Sequence, residues 1–572
     1  MKVINKNTIA KYLNNYISDY SIEDLESFIE IPPAGINFSY AFPAFPLVKY
    51  KKKDPTFIAK NLEKKFILPD FLDKIEANGP YLNFRVNAKL VLENIFKLQN
   101  DYGKIKEVIK KSELNPQKII IEYPSPNTNK PLHLGHIRNM LIGNALSNLL
   151  KYKGHNVFKV NLNNDRGIHI CKSILAYKKW GNNQEPIDKK TDHFVGDFYV
   201  KYNLMEQKNK KLINEAKELL KLWEQEDSET RAMWKKLNSW ALKGFKETYA
   251  KFDISFDKEY YESDFYLKGK YKVIEGLNKG IFEKRDDGAI FAKLKDKFDL
   301  PDKILLRSDE TSIYITQEIY LASLKKQDFD YDKSIYIVGN EQDLYFKQFF
   351  AVLDMMGFKE EMYHLSYGMI SLPEGKMKSR EGTVVDADDI VEEMENLAFE
   401  EVNKRYPELS NEEKSHRAKI IGMAALKFFI LKYNPKSDFI FNPKESISFE
   451  GETGPYIQYC FARIQSIINK SKENISLDIN FELLNHEKEI NLIKQLNYFP
   501  EILDSTINTY GIHLIPQYLL TLGQIFNSFY GECQVISENK ELEKARLLLI
   551  KCVQIIIKIG LNILGIDILN EM

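Results

Sequence analysis

A short, strongly apolar run at residues 118–123 (KIIIEY) constrains the fold more than any other part of this chain. Its continuous apolar character is typical of a parallel strand that is buried on both faces. A loop, PSPNTNKP, follows at 124–131, and a helical pattern then begins near His133 and stops at Gly154. A second strand pattern, FKVNLNN at 158–164, completes a βαβ unit and predicts a doubly wound parallel sheet.

The alternation of strands and helices is interrupted and then resumes. Residues 176–310 are highly charged and mostly helical in pattern, so we interpret them as an insertion and not as a continuation of the sheet. The alternation returns with SIYIVG at 334–339 and HLSYGMI at 364–370, and from about residue 390 the pattern is helical. The predicted fold class is therefore α/β, with a Rossmann-like catalytic sheet, an α/β unit before it and an all-α bundle after it.

Composition limits the class of protein. The 572 residues carry 81 basic and 81 acidic side chains, which argues against a generic polyanion binder but allows a local basic patch. The four cysteines, Cys171, Cys460, Cys533 and Cys552, form no CxxC pair, which argues against zinc and fits a reducing cytosol. The apolar stretch at 545–569 has polar residues at helical spacing, so we expect a bundle helix and no membrane span.

The turn after the first strand carries Lys130, His133, Gly135 and His136. Ligands bind at this edge of an open α/β sheet, and a helix N-terminus there offers free N–H groups to a phosphate. Two imidazoles three residues apart share one helical face, and Gly135 lets a flat ring lie close to the backbone. Phosphoryl and adenylyl transfer need such a rim of donors, because they rest on positioning and on stabilising charge on phosphate oxygens. Taken alone, the HxGH pattern also fits two ordinary surface histidines.

A second cationic element lies at 373–386 (PEGKMKSREGTVVD), where Lys376, Lys378 and Arg380 stand on a loop flanked by glycines. Such a loop suits a clamp on a polyphosphate, although a solvated basic loop has the same composition. The chain contains neither GxxxxGK[ST] nor GxGxxG, so a P-loop and a dinucleotide fold are not supported.

Together the two motifs resemble the signatures of class I aminoacyl-tRNA synthetases. HLGH at 133–136 is similar to HIGH, and KMKSR at 376–380 is similar to a variant of KMSKS. The segments EYPSPNTNKPLHLGHIRN, YITQEIYLA and IYIVGNEQDLYFKQFF resemble successive blocks of the arginyl-tRNA synthetases. GETGPYIQYCFARI at 451–464 resembles that family's helical anticodon-binding domain, and IEANGPYLNFRVN at 75–87 its additional N-terminal domain.

The resemblance implies a two-step ligase. Arginine is activated with ATP, accompanied by Mg²⁺, to arginyl-adenylate, and is then transferred to the 3′-terminal adenosine of tRNA(Arg). In this family activation usually also requires bound tRNA, and neither zinc nor another protein-bound metal is implied. By motif position, the catalytic residues are Lys130, His133, His136, Lys376 and Lys378. The ATP-binding residues are His133, Gly135, His136, Lys376, Met377 and Ser379. The arginine-binding residues are Glu122, Ser125, Asn127, Tyr314, Glu318 and Gln342.

The chemistry of the substrate gives a separate argument for the last set. A guanidinium requires carboxylates in fork geometry and planar neighbours. Tyr314 and Glu318 are four residues apart on a helical pattern, so both can point into one pocket with Glu122. Each residue alone fits an ordinary helix-surface or strand-end position, whereas two carboxylates from separate blocks favour a cationic substrate.

Three positions depart from the family pattern. Glu318 stands where the family usually has aspartate, and a GDWG-like turn is replaced by residues 164–167 (NDRG). Ser379 replaces the second lysine of KMSKS, and members of the family that lack this lysine tend to carry one at the position of Lys130.

Candidate tRNA contacts lie in both flanking regions. Residues 49–65 hold seven lysines against two acidic residues, so Lys51, Lys52 and Lys53 form either a solvated face or a backbone-contacting patch. Tyr456 and Tyr459 are either base-contacting aromatics or core residues of the bundle.

We expect four segments: an N-terminal tRNA-contact domain (1–112), a catalytic domain (113–390) with its insertion, connecting helices (391–440) and a helical anticodon-binding domain (441–572). We also expect a cytoplasmic monomer that binds tRNA, arginine and ATP and no membrane. Three rivals remain open: another class I synthetase, a small-molecule adenylyltransferase and a non-catalytic tRNA-binding paralogue. ATP–pyrophosphate exchange with each amino acid, with and without tRNA, separates them.

Overall fold

The computed structural model describes residues 3–33, 35–104, 116–309, 311–371, 373 and 385–572. The chain divides into two compact units. The first comprises residues 1–115, 152–154 and 447–572, and the second comprises residues 116–151 and 155–446.

The N-terminal part of the first unit is a small α/β element. A three-stranded antiparallel sheet in the order β1-β3-β2 supports five helices. The strands are β1 (Tyr40–Pro43), β2 (Leu72–Asn78) and β3 (Tyr81–Val86), and the helices are α1 (Lys6–Asn14), α2 (Ile22–Phe28), α3 (Val48–Lys51), α4 (Pro55–Lys65) and α5 (Ala88–Leu98). The start of α4 is fixed by Asp54, whose carboxylate accepts hydrogen bonds from the backbone N–H groups of Thr56 and Phe57.

The second unit is built on a five-stranded parallel sheet in the order β11-β10-β4-β5-β6. Its strands are β4 (Lys118–Glu122), β5 (Asn156–Asn163), β6 (Lys258–Tyr261), β10 (Lys333–Gly339) and β11 (Glu361–Tyr367). The predicted parallel sheet and its first βαβ unit are confirmed, and β4 occupies the centre with its isoleucines fully buried. Strand order reverses between β4 and β10, so the carboxyl ends of these two strands form the crevice where such sheets bind ligands.

The described residues of the second unit form thirteen α-helices. They are α6 (Leu134–Tyr152), α7 (Ile168–Trp180), α8 (Thr191–Lys208), α9 (Leu212–Glu224), α10 (Ser228–Lys251), α11 (Glu262–Phe265), α12 (Lys268–Asn278), α13 (Lys295–Phe298), α14 (Tyr314–Phe329), α15 (Asp343–Met355), α16 (Ala387–Arg405), α17 (Asn411–Leu431) and α18 (Pro443–Ser446). The first of them lies close to the end of β4, because a Cβ atom on Gly143 would stand 2.5 Å from the ring of Tyr123. Only glycine permits that approach.

The segment 176–310 is only partly the insertion that its pattern predicts. Helices α8, α9 and α10 form the expected charged helical part. The expectation that no residue of this segment continues the main sheet is wrong, because β6 pairs in parallel with β5. A further three-stranded antiparallel sheet consists of β7 (Glu283–Lys284), β8 (Ile290–Ala292) and β9 (Lys303–Leu306). The strand β6 has only four residues and one fully buried side chain at the edge of the sheet, so it lacks a continuous apolar run.

Two short strands and the C-terminal helices complete the chain. The parallel pair β12 (Ile370–Ser371) and β13 (Phe439–Ile440) belongs to the second unit. The C-terminal helices of the first unit are α19 (Gly454–Lys470), α20 (Glu487–Asn497), α21 (Phe499–Thr509), α22 (Leu514–Glu532) and α23 (Lys540–Ile563). They pack against the N-terminal segment, where Asn497 donates a 2.8 Å hydrogen bond to the carbonyl of Ile4 and Tyr40 donates one to Glu501.

Candidate active site

A cavity of about 590 Å³ opens at the crevice between the carboxyl ends of β4 and β10. Nine of the residues that sequence reasoning selected line it. They are Glu122, Ser125 and Asn127 from the end of β4 and the loop after it, His133, Gly135 and His136 from the start of α6, Tyr314 and Glu318 from α14, and Gln342 before α15. The sheet topology therefore brings four separate sequence blocks to one place.

The two histidines at the start of α6 have a defined tautomer. The imidazole rings lie 3.8 Å apart between centroids. Nδ1 of His136 accepts the backbone N–H of His133 at 3.1 Å, and Nδ1 of His133 accepts the backbone N–H of Gly135 at 3.2 Å. Because a backbone N–H can only donate, each Nδ1 is unprotonated and each neutral ring carries its proton on Nε2.

Electrostatics keeps both rings neutral. Burial, together with the positive charge of Lys130, lowers the pKa of His133 to about 3. Burial and the neighbouring His133 and Lys130 lower the pKa of His136 well below its usual range. At physiological pH the pair therefore offers two Nε2–H donors and no imidazolium charge.

Gly135 lies close against the imidazole ring of His133. A Cβ atom at this position would lie 3.1 Å from Cε1 and Nδ1 of the His133 ring. The flat ring that lies against Gly135 in the structure is the neighbouring imidazole, and the approach of a ligand ring to this glycine stays a prediction.

The other side of the cavity contains two carboxyl groups in different environments. Glu122 contacts the ammonium group of Lys325, which is fully buried, and accepts a weak 3.5 Å hydrogen bond from the hydroxyl of Ser125. One carboxyl oxygen of Glu318 is buried and finds no hydrogen-bond donor among the described residues. Burial and the nearby Glu122, opposed by Lys325, raise the pKa of Glu318 to about 8. Tyr314, one turn before Glu318, is exposed at the mouth of the cavity.

Residues 164–167 (NDRG) stand where the family has a GDWG-like turn. Their Arg166 is a second, largely buried cation near the cavity, besides Lys325. The guanidinium of Arg166 lies 2.6 Å from a carboxyl oxygen of Glu224 and 3.6 Å from one of Glu262. It also stacks on Tyr266, with its central carbon 4.2 Å from the ring centroid. Burial, opposed by Arg166, raises the pKa of Glu262 to about 7, and Glu262 in turn contributes to the raised pKa of Glu318.

Lys130 does not line the main cavity. It lines an adjacent cavity of about 440 Å³ that shares His133 with it and also contains His193 and Asp386. The backbone on either side of Asp386 is tied to the histidine turn, since Leu134 N–H donates to the carbonyl of Val385 and Ala387 N–H donates to that of Leu132. The predicted loop residues Lys376, Met377, Lys378 and Ser379 lie outside the described residues.

One group of side chains has the composition of a cation site. Suitable ligand atoms of Asp192, His193 and Asp388 lie within 4.8 Å of one another. The ammonium of Lys190, however, lies 2.7 Å from Asp388 and 3.1 Å from Asp192, and Lys251 approaches Asp388 to 2.8 Å. The lysines already balance these carboxylates.

The candidate tRNA-contacting residues belong to the first unit. Lys51, Lys52 and Lys53 are exposed, Lys51 pairs with Asp19 at 2.7 Å, and Lys53 stands 4.6 Å from the ring centroid of Phe57. Phe45, Tyr50 and Phe57 expose about half of their surface beside these lysines. Tyr456 and Tyr459 are half-buried, and their hydroxyl oxygens accept hydrogen bonds from Asn527 and Arg463 respectively.

Sequence reasoning missed several residues of the cavity. Asn139 lines the cavity and donates a 2.7 Å hydrogen bond to the carbonyl of Ile337. Its position three residues after His136 could have indicated this from the sequence, because residues three apart share one face of a helix. Tyr345 and Glu341 also line it. Lys325 lies seven residues after Glu318 on the same helical face, but a lysine in that register is usually solvent-exposed.

A ligand cavity at the switch point of a parallel sheet, entered by an HxGH turn with two Nε2–H donors, is the catalytic architecture of class I aminoacyl-tRNA synthetases. Comparison with known proteins agrees. A family model described as tRNA synthetases class I (R), catalytic domain, matches residues 101–443. Models for the arginyl tRNA synthetase N terminal domain and the DALR anticodon binding domain match residues 5–86 and 457–572.

Relatives match over the whole length. An arginine–tRNA ligase of Treponema denticola is 42% identical over 95% of this chain and 94% of its own, and one of Bacteroides thetaiotaomicron is 40% identical with both chains covered completely. Solved structures of arginyl-tRNA synthetases show the same fold: that of Thermus thermophilus has a TM-score of 0.81 at 24% identity, covering 95% of this chain and 96% of its own, and that of Plasmodium falciparum 0.80 at 22%, covering all of both. The chain belongs to the arginyl-tRNA synthetase family and is a ligase that joins arginine to tRNA. In the described part of the chain, no helix combines the length and apolarity that a membrane crossing needs.

Proposed function

We propose that the cavity binds arginine and ATP side by side, with Glu122 and Glu318 toward the guanidinium and the histidine turn toward the phosphates. The arginine carboxylate attacks the α-phosphate of ATP, and pyrophosphate leaves. The 2′-hydroxyl of the terminal adenosine of tRNA(Arg) then attacks the arginyl carbonyl, and AMP leaves. The observation that carries this proposal is the meeting of two neutral imidazole donors and two buried carboxyl groups in one cavity.

The histidine turn stabilises the charge that develops on phosphate oxygens. His133 and His136 donate through Nε2, since both Nδ1 atoms are held by backbone N–H groups. Neutral donors of fixed orientation need no reorganisation as the transition state forms, which makes them effective in a desolvated site. Lys130 adds a positive charge on the same turn. We propose that Lys376 and Lys378, in the chain segment after β12, approach the polyphosphate, with Met377 and Ser379 beside the nucleotide.

We propose that Mg²⁺ enters with the triphosphate and is held mainly by phosphate oxygens. The cluster of Asp192, His193 and Asp388 is occupied by two lysine ammonium groups, so its donor set fits a salt-bridged anchor better than a divalent cation. Bound Mg²⁺ supplies charge neutralisation between phosphate groups.

The guanidinium site needs carboxylates and planar neighbours. Glu318 supplies an unengaged acceptor, and Tyr314 and Gln342 line the same wall. Ser125 and Asn127, on the loop after β4, line the same cavity, and we propose that they bind the α-amino and carboxylate groups of the amino acid. A planar donor with two parallel N–H groups matches a carboxylate better than a lysine ammonium does.

We propose that tRNA contacts the first unit. Lys51, Lys52 and Lys53 stand beside exposed aromatic rings, which suits a phosphate backbone with adjacent unstacked bases. Tyr456 and Tyr459 would contribute ring edges near the anticodon. The hydroxyl of Tyr456 accepts a hydrogen bond from Asn527 on α22, and that of Tyr459 accepts one from Arg463 within α19. We further propose a cytoplasmic protein, since all four cysteines are buried and free. A monomer with the four segments predicted from the sequence is proposed on the family resemblance alone.

The reaction and its substrate are tested by ATP–pyrophosphate exchange with each of the twenty amino acids, with and without tRNA(Arg). We expect exchange with arginine alone, and only when tRNA is present. Exchange with another amino acid would contradict the arginine pocket. Exchange without arginylation of tRNA would favour a small-molecule adenylyltransferase, and an absence of both reactions would favour a tRNA-binding paralogue. Light scattering of the same preparation tests the monomer.

A further inference from the structure

Lys325 is a fully buried lysine next to the cavity, and nothing in the reaction described above uses it. It stands on α14 two helical turns after Glu318, and its ammonium contacts Glu122 and lies 4.3 Å from the ring centroid of Tyr336. Burying an ammonium group costs several kcal/mol before its interactions are counted. Apolar residues of similar volume would fill the same space at lower cost, so the position calls for a reason beyond packing.

Because Lys325 contacts Glu122, the two carboxyl groups of the cavity differ in how many of their oxygens have a partner. Both oxygens of Glu122 are engaged, one by Lys325 and one by the hydroxyl of Ser125. Glu318 keeps a buried oxygen that finds no donor in the described part of the chain. A cationic ligand that enters the cavity therefore finds one carboxyl group with a partner and one with an unengaged acceptor.

We propose that Lys325 is a positioning residue for substrate recognition, which holds Glu122 at the floor of the cavity and leaves Glu318 as the carboxyl group that ionises and receives the cationic head of the substrate. The proposal rests on the proposed arginine pocket. When arginine binds, the protonated carboxyl group of Glu318 loses its proton to solvent, and the resulting carboxylate pairs with the guanidinium.

The charged groups around Glu318 determine in which direction the loss of Lys325 would shift the pKa of Glu318. Charged or titratable side chains face it from β4, α11, β10, α15 and its own helix, and they are Glu122, Glu262, Tyr336, Tyr345 and Lys325. Lys325 is the only cation among them, and its charge lowers the pKa of Glu318 while the two glutamates raise it. Removing that charge therefore makes Glu318 harder to ionise and arginine harder to bind at a given pH.

The test measures the KM for arginine against pH by ATP–pyrophosphate exchange at saturating ATP and tRNA. In the unmodified enzyme we expect KM to fall by about tenfold per pH unit below the pKa of Glu318 and to level off near pH 8. In Lys325→Met we expect the levelling point to move upward by about one pH unit, so that KM at pH 7.5 rises about tenfold with KM for ATP unchanged. Lys325→Arg should restore the original profile. The matched control is Lys326→Met, because this neighbour pairs with Asp330 and Glu360 instead of the cavity and its loss should leave the profile unchanged.

A second measurement needs no change at Lys325. Calorimetric titration of arginine into the unmodified enzyme, in two buffers of different ionisation enthalpy at pH 7, should release about one proton per bound arginine. Glu318→Gln should abolish that release and weaken binding. Absence of proton release, or a Lys325→Met profile that keeps its levelling point, would overturn the inference and leave Lys325 a structural ion pair. If Glu318→Gln binds arginine normally, the pocket assignment itself is wrong, which is a distinguishable outcome.

Discussion

Replacing Arg138 by methionine should strongly destabilise the second unit. Arg138 stands on α6 two residues after His136 and is only 1% exposed. The guanidinium donates to five backbone carbonyls: those of Gly368 and Met369 at 2.6 and 3.2 Å, and those of Asn434, Pro435 and Ser437 at 3.2, 2.9 and 2.8 Å. It also lies 4.7 Å from the ring centroid of Phe439.

The magnitude follows from these contacts. Three of the bonds are 2.9 Å or shorter, and hydrogen bonds from a charged donor contribute about 1.5 kcal/mol or more each. Methionine escapes the desolvation cost of a guanidinium but leaves buried carbonyls without a donor, so the expected loss in free energy of unfolding is about 3 to 5 kcal/mol. Because Gly368 and Met369 line the cavity, the KM for ATP should rise as well.

Urea titration followed by tryptophan fluorescence measures the loss of stability of the second unit. All four tryptophans, at positions 180, 223, 234 and 240, lie in the second unit. The matched control is Arg417→Met, also in that unit, where Nε pairs at 2.7 Å with a carboxylate of Glu413 that is 43% exposed. A partly solvated pair of this kind contributes about 1 kcal/mol or less. A midpoint shift for Arg138→Met no larger than that of the control would refute the reasoning.

Four further predictions concern the active site and the tRNA surface. Gly135→Ala should lower adenylate formation about tenfold to a hundredfold with an unchanged urea midpoint, because the new Cβ displaces the His133 ring; normal activation would contradict this packing. Lys130→Ala should lower adenylate formation severely at unchanged stability, and a near-normal activation rate would remove Lys130 from the site. Glu318→Gln should stabilise the ligand-free protein increasingly as pH rises from 5 to 8, by up to about 4 kcal/mol at pH 8. The reason is that the carboxyl group ionises in the unfolded chain above its ordinary pKa of 4.5, whereas in the folded protein burial raises the pKa to about 8 and keeps the group protonated. A pH-independent difference in melting temperature would show that the group titrates elsewhere. Replacing lysines 51–53 by alanine should raise the KM for tRNA and reduce its salt dependence, and no change in either would identify a merely solvated face.

The central features of the fold were predictable because their signals are local. A continuous apolar run bounded by proline leaves few alternatives to the buried strand β4, and helical periodicity begins directly after the histidine turn. The place of Glu122 at the ligand-binding edge was also predictable, because it ends a central parallel strand. Glu318 stands on helix α14, so its approach to Glu122 was indicated only by the family resemblance and by the chemistry of a cationic substrate.

Other features depend on contacts that periodicity does not encode. The strand β6 is short and charged, and only its pairing with β5 makes it a strand. The packing of the C-terminal helices on the N-terminal segment joins residues more than 450 positions apart, as in the hydrogen bond from Asn497 to Ile4. Lys325 and Arg138 look like surface positions of amphipathic helices, and their burial follows from partners supplied by distant segments.

The charge balance around the cavity connects these buried cations with substrate choice. Among the buried carboxyl groups of the proposed pocket, Glu122 has Lys325 as its counter-ion and Glu262 shares Arg166 with the half-exposed Glu224. Glu318 has no cation of its own among the described residues. Three carboxyl groups and two internal cations leave a deficit of one positive charge once Glu318 ionises. A neutral isostere of arginine cannot supply it and would leave a buried acceptor unpaired, which is the condition under which binding sites discriminate most strongly. A lysine side chain supplies the charge as a compact ammonium and not as a planar fork, so it balances the pocket without matching the geometry of the carboxylate. In the proposed pocket, selection of a cation over a neutral ligand therefore follows from the count of internal charges, and selection of a guanidinium over an ammonium follows from the geometry of the carboxylate.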